Sequence, residues 1–292
     1  MYATWQYNDI IETALREDIG PGDLSTLLIP DSYLGEAVIY AKEKGVICGL
    51  FIFEMVFKKV DARIQMSTEF KDGDFVSPGM LIATLKGPLA GILQAERTAL
   101  NFLQHLSGIS TLTRNLVDQV ADLGVKIVDT RKTLPGLRAL QKYAVKVGGG
   151  QNHRFGLYDA VILKDNHLAI AGGIKEAVSQ VRARIGHMVK IEVECETLEQ
   201  VQEALQGDVD VIMLDNMSPS EMRTAVKLIN QRAIVEASGG ISEENIREIA
   251  LTGVDVISVG KLTHSVRAVD FSLVIDRMKP SLQKIIEKPE EL

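Results

Sequence analysis

VDVIMLDNMSPSEMRTAVKLINQRAIVEASGGISEENIREIALTGVDVISVGK, residues 209–261, repeats one pattern: a short apolar β-branched run, polar residues at its C-terminal end, then a helix-like segment. Short apolar runs bounded by turn residues read as buried strands. Ser218-Pro219 before Glu221 starts one helix, Ser242 with Asn245 starts the next, and Gly253 stops it. Toward the N-terminus the same unit recurs in VKIVDTRK (125–132), DAVILKDN (159–166) and HMVKIEVEC (187–195), with LRALQKYAVKV, GIKEAVSQVRARI and LEQVQEALQ between. Six consecutive βα units predict a parallel sheet buried on both faces.

The runs deliver their polar residues at their C-terminal ends: Arg131 and Lys132, Lys164, Glu192 and Glu194, Asp215, Glu236 and Ser238, Ser258 and Gly260. A βα-barrel brings those ends to one face, where such barrels build active sites; an open sheet would gather them at a single crevice. The expected fold is α/β, a βα-barrel of six to seven parallel strands preceded by an α+β sandwich domain. Residues 1–110 form the sandwich, with a helix near 8–17, the strands GEAVIYAKEKGVICG, ARIQMSTEF and DFVSPGMLIATLKG, and an apolar helix LFIFEMVFKKV. A long helix, residues 90–124, follows, with Ile92, Leu93, Leu100, Leu103, Leu106, Ile109, Leu112, Leu116 and Val120 on its apolar face. The barrel occupies 111–270, and 271–292 is expected as a C-terminal helix and tail packing on the first domain.

The chain of 292 residues is 46% hydrophobic, enough for a large core, and carries a net charge of −7. Acidity of that size argues against a general nucleic-acid or membrane surface, which needs a broad basic face. Cys48 and Cys195 are too few for a disulfide framework and lack zinc spacing. With no leader pattern in MYATWQYNDIIETALRED and no long apolar span, a cytoplasmic location is expected.

Against that acidity, Asp129 to His167 holds seven Lys/Arg and three Asp. Guanidinium forks suit carboxylates and phosphates, so the segment reads as a site for a small polyanion. Arg131 and Lys132 alone would be a solvated loop pair, but His153, Arg154 and Lys164 recur at neighbouring ends. Gly148, Gly149 and Gly150 permit a turn with exposed N–H groups for an anion, or are a flexible loop. His153 reads as a donor to a carboxylate or phosphate, or as a satisfied core histidine; zinc or iron has little support. Glu194 and Asp215 either cap the following helices or hold a magnesium ion carrying phosphate oxygens. Ser238, Gly239 and Gly240, with Ser258, Val259 and Gly260, are tight turns or a phosphate cradle. No Walker motif is present, because Gly260-Lys261 is followed by Leu262, and no nucleophile set can be assembled.

The strings EDIGPGDLST (17–26), AERTALNFLQHLSGIST (95–111), DTRKTLPGLRALQKYAVKVGGGQNHRFGLYDAVILKDNH (129–167), EVECET (192–197), MLDN (213–216), EASGGI (236–241) and ISVGKLTHS (257–265) run in order through the chain. In them the chain resembles the quinolinate phosphoribosyltransferases, also called carboxylating nicotinate-nucleotide pyrophosphorylases. The resemblance implies transfer of phosphoribose from phosphoribosyl pyrophosphate to quinolinate with decarboxylation, for NAD synthesis. It implies that Thr130, Arg131, Lys132, His153, Arg154 and Lys164 surround the quinolinate carboxylates and the pyrophosphate. Glu194 and Asp215 would hold the ribose hydroxyls and Mg2+, with Ser238 to Gly240 and Ser258 to Gly260 on the 5′-phosphate. Lys132, Lys164, Glu194 and Asp215 would be the catalytic set, with Lys132 or Lys164 as proton donor to the ring carbon. Arg97 would enter the site of a neighbouring subunit, making a homodimer the minimal unit and a hexamer a further assembly. Three alternatives stand beside this: a related pyrophosphorylase-like protein linked to molybdate transport, a Schiff-base aldolase using Lys132 or Lys164, and a non-catalytic anion-binding barrel. NHRFGL together with KDNH favours quinolinate over the first.

Overall fold

The structure, a computed structural model, describes residues 7–278 and divides into two compact units: Met1–Thr111 with Arg267–Leu292, and Leu112–Val266. In the first, strands β1 (Leu34–Ala41), β3 (Gln65–Ser67), β5 (Leu81–Pro88) and β12 (Phe271–Met278) form an antiparallel sheet in the order β12-β1-β5-β3. A small ribbon pairs β2 (Gly45–Val46) with β4 (Phe75–Val76), and helices α1 (Asn8–Ile19) and α2 (Leu50–Val60) belong to the same unit. Alternation makes the sheet: Ala37, Ile39 and Ala41 of β1 are buried on one face. The helix expected at the start of 271–292 is instead β12, because FSLVIDRM is rich in β-branched and apolar residues and pairs along β1 from Ala41 to Gly35. The tail expected beyond it lies outside the described residues. Helix α3 (Leu89–Gln119) is the long helix read from the sequence, with Ile92, Leu100, Leu103, Leu106, Ile109 and Leu116 buried along it, Leu93 and Leu112 half-buried, and Val120 just past its end.

In the second unit β6 (Lys126–Val128), β7 (Val161–Leu163), β8 (Ile191–Cys195), β9 (Val211–Asp215), β10 (Ile234–Ser238) and β11 (Val256–Ser258) form a wholly parallel sheet ordered β6-β11-β10-β9-β8-β7. The first strand pairs with the last, and Gln151 adds a parallel bridge to Val128 of β6. That order is the chain order cut at one seam, between Gln151 and β7, which is what a βα-barrel opened along one line gives. Helices α4 (Arg138–Val147), α5 (Asp165–Ala171), α6 (Ile174–Arg182), α7 (Leu198–Gln206), α8 (Pro219–Ile229), α9 (Ile246–Ala250) and α10 (Lys261–His264) connect the strands. Ser218 caps α8 in a capping box with Glu221, with Pro219 in its first turn, as the sequence predicts. The second predicted start is displaced: Asn245 Oδ1 accepts the Ser242 N–H in a turn, and α9 begins only at Ile246. No helix among the described residues is long and apolar enough to cross a membrane.

Candidate active site

Register decides which polar residues meet. Partners across a parallel ladder point to the same face, so Glu194↔Met213, Glu236↔Met213 and Ser238↔Asp215 align the sheet. Glu192, Glu194, Met213, Asp215, Glu236, Ser238 and Ser258 therefore share one face. The other face carries Ile127, Leu163, Val193, Cys195, Ile212, Leu214, Val235, Ala237 and Ile257, all buried. Its apolar residues take the helices, so the polar face is the barrel interior, with its charges near the strands' C-terminal ends.

Asp129 follows β6 in the phase of Ile127, on the helix side, and meets Lys142 of α4 in an ion pair with both side chains fully buried. The pair grips the segment after the glycines: Asp129 accepts hydrogen bonds from Asn152 Nδ2 and from the His153 N–H (3.0 Å), and Lys142 Nζ donates to the His153 carbonyl (3.0 Å). Gly148, Gly149 and Gly150 are not an anion cradle. Their N–H groups donate to Ala144, Lys146 and Val145 carbonyls at the end of α4, and a Cβ on Gly150 would lie 2.8 Å from Val145. They close the helix and pack, the positive φ falling on Gly149 alone.

His153 turns its ring into the barrel, with Nε2 3.2 Å from Glu192 Oε2 and 3.4 Å from Glu236 Oε2. Burial alone would lower its pKa, but the hydrogen bonds to the two carboxylates prevail and push it up to about 10. Burial raises the pKa of Glu192, with the nearby Glu236 charge adding to it. Nδ1 faces the Arg154 N–H at 2.7 Å, a contact that only a ring nitrogen without hydrogen accepts. A ring hydrogen on Nε2 therefore faces the two acids. By distance the three could hold a metal, their ligand atoms lying within 4.8 Å of one another. A metal on Nε2 would move the ring hydrogen to Nδ1, donor against donor at the Arg154 amide, so the tautomer favours a shared proton. Expected as a substrate donor, His153 has both ring nitrogens committed within the chain.

Arg154 is half-buried and donates from Nη1 to the Ala160 carbonyl (2.8 Å), while its Nε is buried without a partner. Burial and then the neighbouring Arg131 charge lower its pKa. Two guanidinium groups close together, one with an unused donor, call for an anion. At the ends of the neighbouring strands β7 and β8, Lys164 forms an ion pair with Glu194, more exposed than the Asp129 pair. Asp215 accepts from the Asn216 amide (2.8 Å). Lys132 is exposed after β6, its N–H bonded to Thr130 Oγ1 and its chain beside Gly260. Gly239 has φ 92° and a Cβ there would lie 2.2 Å from Asn216 Oδ1, so only glycine fits, whereas Gly240 opens onto free space. Ser258 is buried and the Val259 N–H is spent on the Val128 carbonyl, leaving Ser238 and the glycines as the accessible part of that expected cradle. Arg97 belongs to the other unit, exposed on α3.

Glu192, Glu236, Asp129 and Lys142 were not predicted as site residues. The first two carried a signal, an acid inside an otherwise apolar strand. At the barrel's opposite end a cleft runs past the strand starts Lys126, Ile234 and Val256, but Asp210 and Asp255 there accept the Ile191 and Val235 N–H groups and serve the sheet.

The chain matches the family described as Quinolinate phosphoribosyl transferase, N-terminal domain, over residues 23–107 and the corresponding C-terminal domain over 109–274. It is 46% identical over 279 residues to the Bacillus subtilis protein named "Probable nicotinate-nucleotide pyrophosphorylase (carboxylating)", covering 96% of each chain. It is 41% identical to the Nicotiana tabacum quinolinate phosphoribosyltransferase (decarboxylating) 1b over 94% of this chain and 84% of that one. Among solved structures, NadC from Streptococcus pyogenes superposes with a TM-score of 0.91 at 42% identity, covering 95% of this chain and 99% of the other.

Proposed function

The chain belongs to the quinolinate phosphoribosyltransferase family, and from that premise we propose that it joins quinolinate to phosphoribosyl pyrophosphate, releasing pyrophosphate and carbon dioxide and leaving nicotinate mononucleotide for NAD biosynthesis. One observation carries the substrate assignment: Arg154, with Nη1 fixed and Nε buried and unused, stands beside the like charge of Arg131. A pyridine dicarboxylate satisfies both guanidinium groups, through the terminal N–H groups of Arg154 and the fork of Arg131.

Lys132, Lys164 and Thr130 line the rest of the acceptor and pyrophosphate site. Ser238, Gly239 and Gly240 take the 5′-phosphate with Gly260, while buried Ser258 and Val259 shape the wall behind it. The ring nitrogen bonds to ribose C1 as the C1–O bond to pyrophosphate breaks, the leaving electron pair going to the pyrophosphate oxygen. Lys132 stabilises that charge, and positioning with electrostatics supplies the acceleration. The bond from C2 to its carboxylate then breaks, its electrons drawn toward the pyridinium, and Lys132 or Lys164 returns a proton to C2.

Glu194 and Asp215 fit a magnesium ion: both are oxygen donors on the inner face at the ends of adjacent strands, Asp215 two residues beyond the level of Glu194. Bound there with phosphate oxygens and water, magnesium would neutralise leaving-group charge. The exposed leucines Leu24, Leu27 and Leu28 of the first unit favour a homodimer, to which Arg97 of one subunit contributes the partner's site. We place the enzyme in the cytoplasm, its two cysteines free and buried.

Incubation with quinolinate, phosphoribosyl pyrophosphate and magnesium should release carbon dioxide and pyrophosphate in equal amounts. Consumption of nicotinate without carbon dioxide would overturn the assignment.

A further inference from the structure

Glu192 and Glu236 are buried acids that each place Oε2 on His153 and leave Oε1 without a partner. Apolar residues would fill the same space at lower cost, because buried carboxylates with half their acceptors unused are expensive. The pair serves the His153 ring. That ring in turn presents a bare Nδ1 to the Arg154 N–H, while Asp129 and Lys142 hold the same residue's backbone from the other side of the sheet. A ring held on one edge by two acceptors and touching the next residue with the other edge transmits orientation, and its donors are not free for substrate.

We infer that Glu192 and Glu236 are positioning residues: they fix the ring of His153, which seats Arg154 so that its guanidinium faces the quinolinate carboxylate. The inference rests on the reading of Arg154 as a carboxylate-binding residue. Two acids are needed because Nε2 lies between β8 and β10, and a single acceptor would let the ring swing toward one strand. Displacement of Arg154 then weakens acceptor binding before it touches the phosphoribosyl half of the site, as supporting groups around a ligand do elsewhere.

The test uses the full chain with Glu192→Gln, Glu236→Gln and the double variant, which keep volume and remove one acceptor each. KM for quinolinate should rise about tenfold in each single variant, with KM for phosphoribosyl pyrophosphate unchanged within about twofold. Long-range 1H–15N spectra of the wild type should show a single His153 ring state with a hydrogen on Nε2, and that pattern should be lost in the double variant. An unchanged quinolinate KM with the wild-type ring pattern would overturn the inference, as would equal rises in both KM values. Should the double variant not fold, the single variants decide. Should the wild type ignore quinolinate altogether, the functional reading falls, while the ring spectra still report on the His153 arrangement.

Discussion

Two ion pairs close at strand ends of the same parallel sheet, and they do different work. Asp129–Lys142 is wholly buried between β6 and α4, whereas in Lys164–Glu194 the side chains are 47% and 13% exposed on the inner side. Each joins one lysine to one acid, so residue type does not separate them. Phase along the strand does. Asp129 falls in step with Ile127, facing the helices, while Glu194 falls in step with Asp215 and Ser238, facing the barrel interior. A charge one position out of phase becomes part of the scaffold.

The largest expected effect lies on the inner side. Arg154→Ala should reduce kcat/KM for quinolinate about a thousandfold, a loss typical of a positioned donor to developing or substrate charge. Its melting temperature should stay near that of the wild type, and steady-state assays with thermal melts would check both. Near-normal turnover would remove Arg154 from the site and with it the distinction between the faces. On the outer side the costs reverse. Lys142→Met leaves Asp129 buried and uncompensated and should cost about 3–5 kcal/mol of stability, read from urea unfolding. The double variant Asp129→Leu with Lys142→Met should recover only part of it, because the His153 N–H and carbonyl and the Asn152 amide lose their partners. Full recovery would mean that the pair merely neutralises itself and does not hold the His153 backbone.

Much of the inner face was legible because its polar residues end apolar runs: Lys164, Glu194, Asp215 and Ser238 stand where a strand must stop. Asp129 was not, since VKIVD is too short and too uniformly apolar at its end to display a period, and its partner sits in a helix 13 residues on. Glu192 and Glu236 were visible as acids within IEVEC and IVEAS, yet their meaning depends on His153, which arrives from a loop bridged to β6. Gly148 to Gly150 misled for a local reason: glycines that end a helix and glycines that cradle an anion look alike until the N–H acceptors are known. The strand at 271–278 was missed because its partner, β1, lies more than two hundred residues earlier in the chain.

A smaller effect would extend the comparison to the first unit, where exposed Arg97 has no role in either ion pair. Arg97→Ala and Lys132→Ala chains should each be inactive. If subunits share sites, exchanged mixtures of the two should recover about a quarter of wild-type activity, because half of the dimers are hybrids with one intact site. Hybrids verified by tagging that show no recovery would confine the site to one chain.

The smallest effect concerns pH and asks whether the inner face also stabilises the fold. The carboxylates of Glu192 and Glu236 raise the His153 pKa from 6.5 to about 10 against the opposing effect of burial, so the folded state holds a proton that the unfolded chain releases earlier. A group with a raised folded pKa contributes stability that is fully present below about pH 6.5 and is lost as pH rises through about 10. Unfolding free energy should therefore decline between pH 7 and 10 more steeply in the wild type than in His153→Gln, which keeps a donor toward the carboxylates but cannot take up the proton. Parallel declines in the two proteins would mean that the cluster orients Arg154 without contributing to the fold, and the division of labour between the two faces would then be sharper than the ion pairs alone suggest.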